Sequence, residues 1–301
     1  MTIKRASKVM GLEEAVSAFI KKGTGIGIGG IMEEYRPCAF FREIIRQNIG
    51  ELTLYAGPVS SYDVDLLIGS GLVAETVLPM VTMGELGIAP NFRKAAQDGQ
   101  IKAHLLDIVT LIAGLLAGAQ RTPYHIIQSL KGTDMLAVSP LYETLTDSKG
   151  NKITAVKAMI PDVTVLHAEQ ADKYGNIRSF MHLGIDRIIA KAAGKVVVTV
   201  EEIIPHEEIL KAPAKTLLGA HWIDAVVEVP YGAHPCGCSY YEADITHIKE
   251  YLAAAKADQN KEQKARNEYY EKYIYTPKQV IDYLEQIGGV KRLLELGKAR
   301  Q

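Results

Sequence analysis

The chain has 301 residues, enough for one large α/β domain with a buried core or for two smaller ones. Lys and Arg total 34 against 35 Asp and Glu, a net charge of -1, so no basic excess recommends a nucleic acid or a membrane surface as partner. Three cysteines make no disulfide framework, and no apolar run reaches the ~18 residues of a membrane span.

The basic start, Lys4-Arg5-Ala6-Ser7-Lys8, leads into no apolar core. A signal peptide is therefore not expected, and a reduced, cytoplasmic protein is. Leu12, Val16, Phe19 and Ile20 then recur at helical spacing, with Glu13 and Glu14 in the first turn. Lys21-Lys22-Gly23 reads as a basic last turn and a glycine stop. Thr24 to Gly30 alternates glycine and isoleucine as a short strand, and Cys38 to Gln47 carries Phe40, Phe41, Ile44 and Ile45 as a second helix.

The alternation continues through a strand at Leu52–Tyr55, a helix at Tyr62–Ile68 and a strand at Glu75–Leu78. Helices are expected near Ala89–Gln97 and Val109–Gly118, with a strand near Ile101–Leu105 between them. Tyr142–Ala158 reads as a hairpin turning at Asp147–Lys152, which either covers a pocket or touches a partner. Strands follow at Val163–His167, Lys195–Val200 and Ala225–Val229, with a helix at Ile185–Ala193. Short apolar strands between helices predict an α/β fold, an open and mostly parallel sheet covered on both faces.

Beyond Ile245 the composition turns to Lys, Glu, Gln and Ala, with Tyr251, Leu252 and Ala255, then Val280, Ile281, Leu284 and Ile287 at helical spacing. The reading is a main domain over residues 1–244 and a helical extension over 245–301 packed on it, although a clamp on a partner is the rival.

Gly25-Ile26-Gly27-Ile28-Gly29-Gly30 satisfies the spacing of a dinucleotide fingerprint, but its context does not. A helix precedes the glycines, and Glu33-Glu34 follow where a pyrophosphate would sit. The glycines instead allow close backbone approach, as tight strand packing or as a set of N–H groups for a carboxylate or oxyanion.

Five runs carry a family resemblance. Gly29-Gly30-Ile31-Met32-Glu33-Glu34-Tyr35-Arg36-Pro37 resembles the glycine loop of class I CoA-transferases, G-G-F, three residues, G, one residue, P. Ile31 here replaces the phenylalanine and Tyr35 the third glycine. Gly84 to Ala95 with Gly99, Gln128-Ser129-Leu130-Lys131-Gly132-Thr133-Asp134 and Val229-Pro230-Tyr231-Gly232-Ala233-His234-Pro235 are similar to the α subunits of glutaconate-type transferases. Ala171-Asp172-Lys173-Tyr174-Gly175-Asn176 matches a segment seen across the family. The matches run in family order over roughly residues 10–240.

The resemblance implies an open α/β sheet and CoA transfer from an acyl-CoA to a carboxylic acid, with no bound cofactor and the CoA thioester as substrate. A glutamate would attack the thioester, giving a mixed anhydride and then an enzyme–CoA thioester. In the family that glutamate belongs to a β subunit, in an S-E-N-G-like stretch that this chain lacks. A β partner, in an α2β2 arrangement, is thus expected. Glu85 is read as a structural carboxylate, and it is the one candidate nucleophile here.

The resemblance places Gly29, Gly30 and Ile31, with Asp107 and Ile108, at the substrate or oxyanion. It places Arg36, Ser129, Gly232 and His234 at a pocket or interface. Ile108 falls where related chains carry a polar side chain, and Asp107 beside it would suit activation of water. That makes a CoA-ester or ring-opening hydrolase the alternative, and a non-catalytic scaffold a third reading. His234-Pro235-Cys236-Gly237-Cys238 suggests a metal, but zinc needs a fourth ligand and only Cys38 or His104 could be recruited, so no metal is expected. His125 and His167 read as strand histidines.

Overall fold

A computed structural model describes residues 5–104, 106–130, 132–180, 184–258 and 264–298. Leu105 of the expected strand and Lys131 of the Gln128–Asp134 run lie outside the described residues, as does Lys4 of the basic start. The strands are β1 (Gly25–Ile28), β2 (Leu52–Ala56), β3 (Val73–Val77), β4 (Lys102–Ala103), β5 (Tyr124–Ile127), β6 (Tyr142–Thr146), β7 (Lys152–Lys157), β8 (Val163–Ala171), β9 (Ile177–Arg178), β10 (Lys195–Ile203), β11 (Thr216–Leu218) and β12 (Ala225–Glu228). The helices are α1 (Leu12–Phe19), α2 (Cys38–Arg46), α3 (Tyr62–Gly69), α4 (Pro90–Gln97), α5 (Ile108–Gln120), α6 (Met135–Val138), α7 (Asp186–Ala192), α8 (His206–Lys211), α9 (Ile245–Asp258), α10 (Lys264–Tyr270), α11 (Val280–Gln286) and α12 (Gly289–Lys298).

Seven strands pair in parallel in the order β4-β3-β2-β1-β8-β10-β12. The chain builds outward from β1 to β4, then returns to lay β8, β10 and β12 on the other side of β1. The strand order therefore reverses at the β1–β8 pair, the place where open α/β sheets form a crevice outside the carboxyl ends of their strands. β9 and β11 extend the sheet in antiparallel fashion beside the end of β8.

Both faces are covered, so the central strands carry apolar runs such as Val196-Val197-Val198 in β10. Val165, Val197 and Val227 enter one core layer with α1, α2 and α3, whereas Leu166, Val196 and Val198 enter the other with α5 and α7. Period-2 alternation divides the side chains between layers. The hairpin β6–β7 forms as expected, and β5, the strand that carries His125, completes a separate three-stranded antiparallel sheet with it.

The first helix ends at Phe19, before the lysines, because Lys21 N–H donates to Thr24 Oγ1 and turns the chain toward β1. The basic last turn expected there is not part of the helix. β10 runs to Ile203, beyond the expected Val200.

The C-terminal helices pack into the same core layer as α2 and α3. Hydroxyl groups fasten them: Tyr251 donates to Asp65 Oδ2 at 2.7 Å, Tyr270 to Leu66 O at 2.6 Å, and the Tyr269 hydroxyl meets that of Tyr62 at 2.8 Å. A buried tyrosine adds apolar area and needs one polar partner, and each of these has one. Among the described residues no helix is long and apolar enough to cross a membrane.

Candidate functional site

β1 stops at Ile28 opposite Val165, while β8 continues to Ala171. The crevice at the switch point is thus walled by the loop after β1 on one side and by the overhanging end of β8 on the other. That loop is tightly fitted. A Cβ on Gly29 would overlap Asp186 Oδ1, and one on Gly30 would lie 2.6 Å from the carbonyl oxygens of Glu34 and Tyr35. Gly30 also has φ +80°, a conformation glycine adopts without strain.

The loop's N–H groups are largely committed within the chain. Gly29 donates to Val165 O at 3.0 Å, Gly30 to Asp186 Oδ1 at 3.0 Å, Ile31 to Glu34 O at 3.1 Å and Met32 to Val59 O at 2.9 Å. Of the two readings of the glycines, tight packing is the one these bonds express: the N–H groups of Gly29, Gly30 and Ile31 pin the loop and are not free donors. In the run 29–35, Glu33 N–H alone has no acceptor among the described residues. Its carboxylate accepts from Ser61 Oγ at 2.9 Å.

Tyr35 stands where the resembling family has its third glycine, and its φ is +55°. The position demands the left-handed region that glycine favours, so a tyrosine there carries about 1–2 kcal/mol of strain. Its buried hydroxyl donates to Glu169 on β8 and accepts from Ser239 N–H at 3.1 Å. Burial, then the bond to Glu169, pushes the phenol's pKa up. Glu169 also accepts from Ser239 Oγ and from Phe180 N–H at 3.2 Å.

Glu201 on β10 is bound as firmly. It accepts from Tyr231 N–H at 2.6 Å, Gly232 N–H at 3.1 Å and the Tyr241 hydroxyl at 2.7 Å, and lies 2.9 Å from His167 Nε2. His167, Glu201 and Cys238 each offer one donor atom within 4.8 Å of the others. Within the set the Glu201 carboxylate is already engaged by its three donors, and burial, then the charge of Glu201, pushes the Cys238 thiol up, away from the thiolate a metal binds. Of the sequence's metal candidates, Cys38 lies beside Cys236, whereas His104 pairs with Glu75.

Other expected positions move. Arg36 and His234 are wholly buried inside this chain, so neither faces an interface. Arg36 Nε pairs with Asp63 Oδ1 at 2.8 Å and Nη1 reaches Gly30 O at 3.3 Å, bracing the glycine loop from behind. His234 contacts Tyr283 Oη at 2.7 Å and Asp244 Oδ2 at 3.2 Å beneath the C-terminal helices. The turn at 234–238 is interior for the same reason. Gly232 packs against His167, and the Ser129 hydroxyl is buried without a partner among the described residues.

Asp107 caps α5, its Oδ1 accepting from Thr110 N–H at 2.7 Å. Ile108, the first residue of α5, is exposed. Glu85 is exposed in the turn Gly84–Leu86, and no hydrogen bond or ion pair reaches it among the described residues. The structural role expected of it is therefore not one it plays within this chain. Neither Glu169 nor Glu201 is singled out by the sequence motifs, although an acid within an otherwise apolar strand, as at Glu169, is the signal of a buried, partnered carboxylate.

Residues 9–229 match the family model described as Coenzyme A transferase. The chain is 30% identical to the A-type subunit of glutaconate CoA-transferase from Acidaminococcus fermentans, over 96% of its own length and 94% of that protein. It superposes on the crystal structure of that transferase with a TM-score of 0.90, covering 96% of this chain and 95% of that one at 28% identity. It is 29% identical to the cholesterol ring-cleaving hydrolase IpdA subunit of Rhodococcus jostii, over 85% of this chain and 90% of that one. An uncharacterized protein of Archaeoglobus fulgidus is 35% identical over 98% of the chain, which spans 66% of that longer relative. A doubly wound sheet reversing at a glycine-pinned crevice, the five ordered motifs and these likenesses agree that the chain belongs to the coenzyme A transferase family.

Proposed function

We propose that this chain is the supporting subunit of a heteromeric CoA-transferase, which moves CoA between an acyl-CoA and a short or dicarboxylic acid. The observation that carries the reading is the state of the crevice carboxylates. Glu169 and Glu201 are buried and each accepts at least three hydrogen bonds, which leaves them poor nucleophiles. The attacking glutamate, and the glutamyl-CoA thioester it forms, then belong to a β subunit.

The crevice mouth suits such a partner. Met32, Met80 and Ile88 are exposed around it, with Met32 N–H bonded to Val59 O and Met80 O accepting from Ser60 N–H. Exposed apolar side chains grouped at a cleft mark an interaction surface. The relative from Acidaminococcus fermentans is named as one subunit of its transferase, in keeping with a second chain. Glu33 N–H, at the crest of the pinned loop, is the donor this chain would present to a developing oxyanion.

The test is steady-state kinetics of the chain purified with its β subunit. Turnover that requires an acceptor acid, with parallel double-reciprocal lines, is expected. The hydrolase relative favours a second reading, a CoA-linked ring-opening or ester hydrolysis. Turnover in water with no acceptor would select it.

A further inference from the structure

A cavity of about 450 Å³ lies between the α/β domain and the C-terminal helices, bounded by the start of α1, one face of α2, the segment Val229–Tyr231 and the start of α11. It shares no lining residue with the glycine loop. Its walls are apolar at Leu12, Ala39, Val229 and Val280.

Arg42 is its distinctive feature. The side chain is 5% exposed, yet no carboxylate pairs with it among the described residues. One N–H donates to His234 O at 2.7 Å, and the guanidinium carbon sits 3.7 Å from the centre of the Tyr283 ring. A guanidinium stacked on a ring keeps the donors along its edge for a ligand in its own plane. A buried cation without an anion is costly, so buried charges are normally paired.

The neighbouring charges do not cancel it. Glu43 is matched by Arg46 and by Gln47 Nε2 at 2.8 Å. Glu13 is exposed at the rim. Lys278 stands at the mouth, exposed, its Nζ donating to Tyr275 O at 2.7 Å with donors to spare.

We infer that this cavity binds a small monocarboxylate with an apolar body, its carboxylate on the edge of Arg42 and within reach of Lys278, its body against Leu12, Val229 and Val280. Arginine's planar fork matches a carboxylate in two parallel bonds, and the apolar walls favour an organic acid over inorganic phosphate. The site is independent of the transfer reaction and stands whether or not that reading does. Its ligand would join α2 to α11 and so tie the extension to the domain.

Isothermal titration of the full chain with hexanoate, and separately with inorganic phosphate, tests it. One saturable hexanoate site per chain is expected. Lys278→Ala should weaken it about tenfold and Arg42→Met about a hundredfold, as loss of one and of two charge-assisted contacts predicts. Val280→Trp, which fills the cavity from its rim, should abolish binding while circular dichroism stays unchanged. It keeps the test decisive where Arg42→Met fails to fold. The inference is overturned by no saturable hexanoate binding, by phosphate binding more tightly than hexanoate, or by an affinity that Lys278→Ala and Val280→Trp leave unaltered.

Discussion

On the β8–β10 side of the crevice, Glu169 and Glu201 are buried and accept hydrogen bonds from phenols, a serine hydroxyl and backbone N–H groups. On the β1–β3 side, Glu33 is half-buried with one bond from Ser61, and Glu85 is exposed with none among the described residues. The same functional group thus serves two purposes across one cleft. Carboxylates that reach into the sheet brace the turns around them, and only those on the outer rim keep the freedom to meet another chain. A crevice full of acids is therefore not a set of candidate nucleophiles.

The glycines sharpen this contrast most strongly. Gly30→Ala, which brings a Cβ against two backbone carbonyls at a positive φ, should destabilise the fold by about 3 kcal/mol and abolish activity. Gly87→Ala in the rim turn also has a positive φ, but its Cβ would meet nothing within 4 Å, so about 1 kcal/mol is expected. Urea denaturation of the pair measures both, and equal losses would break the distinction between pinned loop and open rim.

Tyr35→Phe comes next. It removes one donor from buried Glu169 and should cost about 1–3 kcal/mol in the same assay. A neutral effect would mean the tyrosine hydroxyl does not brace β8.

Proton binding gives a comparison inside the scaffold. Burial pushes Asp65 up to about 6, against hydrogen bonds from Phe92 N–H, Tyr251 and Asn91. For Asp244 burial also raises the pKa, but bonds from His234 and Arg292 outweigh it and hold the carboxyl well below the usual range. The signs are opposite. Asp65 contributes stability that is fully present below its unfolded pKa of about 4 and lost as pH rises through about 6. The contribution of Asp244 is present above the unfolded value and lost as the medium turns acid. A carboxyl-carbon NMR titration should place the Asp65 midpoint near 6, and Asp65→Asn should flatten the stability slope between pH 4 and 6. A midpoint near 4 would contradict the burial account.

The parallel sheet was legible because its strands are buried on both faces, which leaves runs such as Val196-Val197-Val198 without ambiguity. For β5 only the strand character around His125 was legible; its pairing in a separate sheet was not, since Tyr124-His125-Ile126-Ile127 follows α5 directly and its Ile126 is exposed. The glycine loop is legible by its spacing, but spacing does not say which N–H groups are already bonded, so the sequence leaves tight packing and an oxyanion set open where the structure shows bonded donors. Tyr269, Tyr273 and Tyr283 escaped notice because an aromatic in a Lys- and Glu-rich helix looks like surface, whereas here each is buried against the domain. Motif position puts His234 and Arg36 at a pocket or interface, and only packing reveals that their partners, Tyr283, Asp244 and Asp63, come from this chain.

The smallest expected effect is on Glu85. Glu85→Gln should change stability by less than about 0.5 kcal/mol, because an exposed side chain without partners has little to lose. A larger loss would reveal a scaffold role for the rim.

The most direct measurement is intact-protein mass spectrometry of this chain and its β subunit, mixed with a short acyl-CoA and compared with each chain alone. The account predicts a CoA adduct that forms only in the mixture, is carried by the β subunit, and persists with Glu85→Gln. An adduct on this chain in isolation, abolished by Glu85→Gln, would make Glu85 the nucleophile and contradict the assignment of this chain as the supporting subunit.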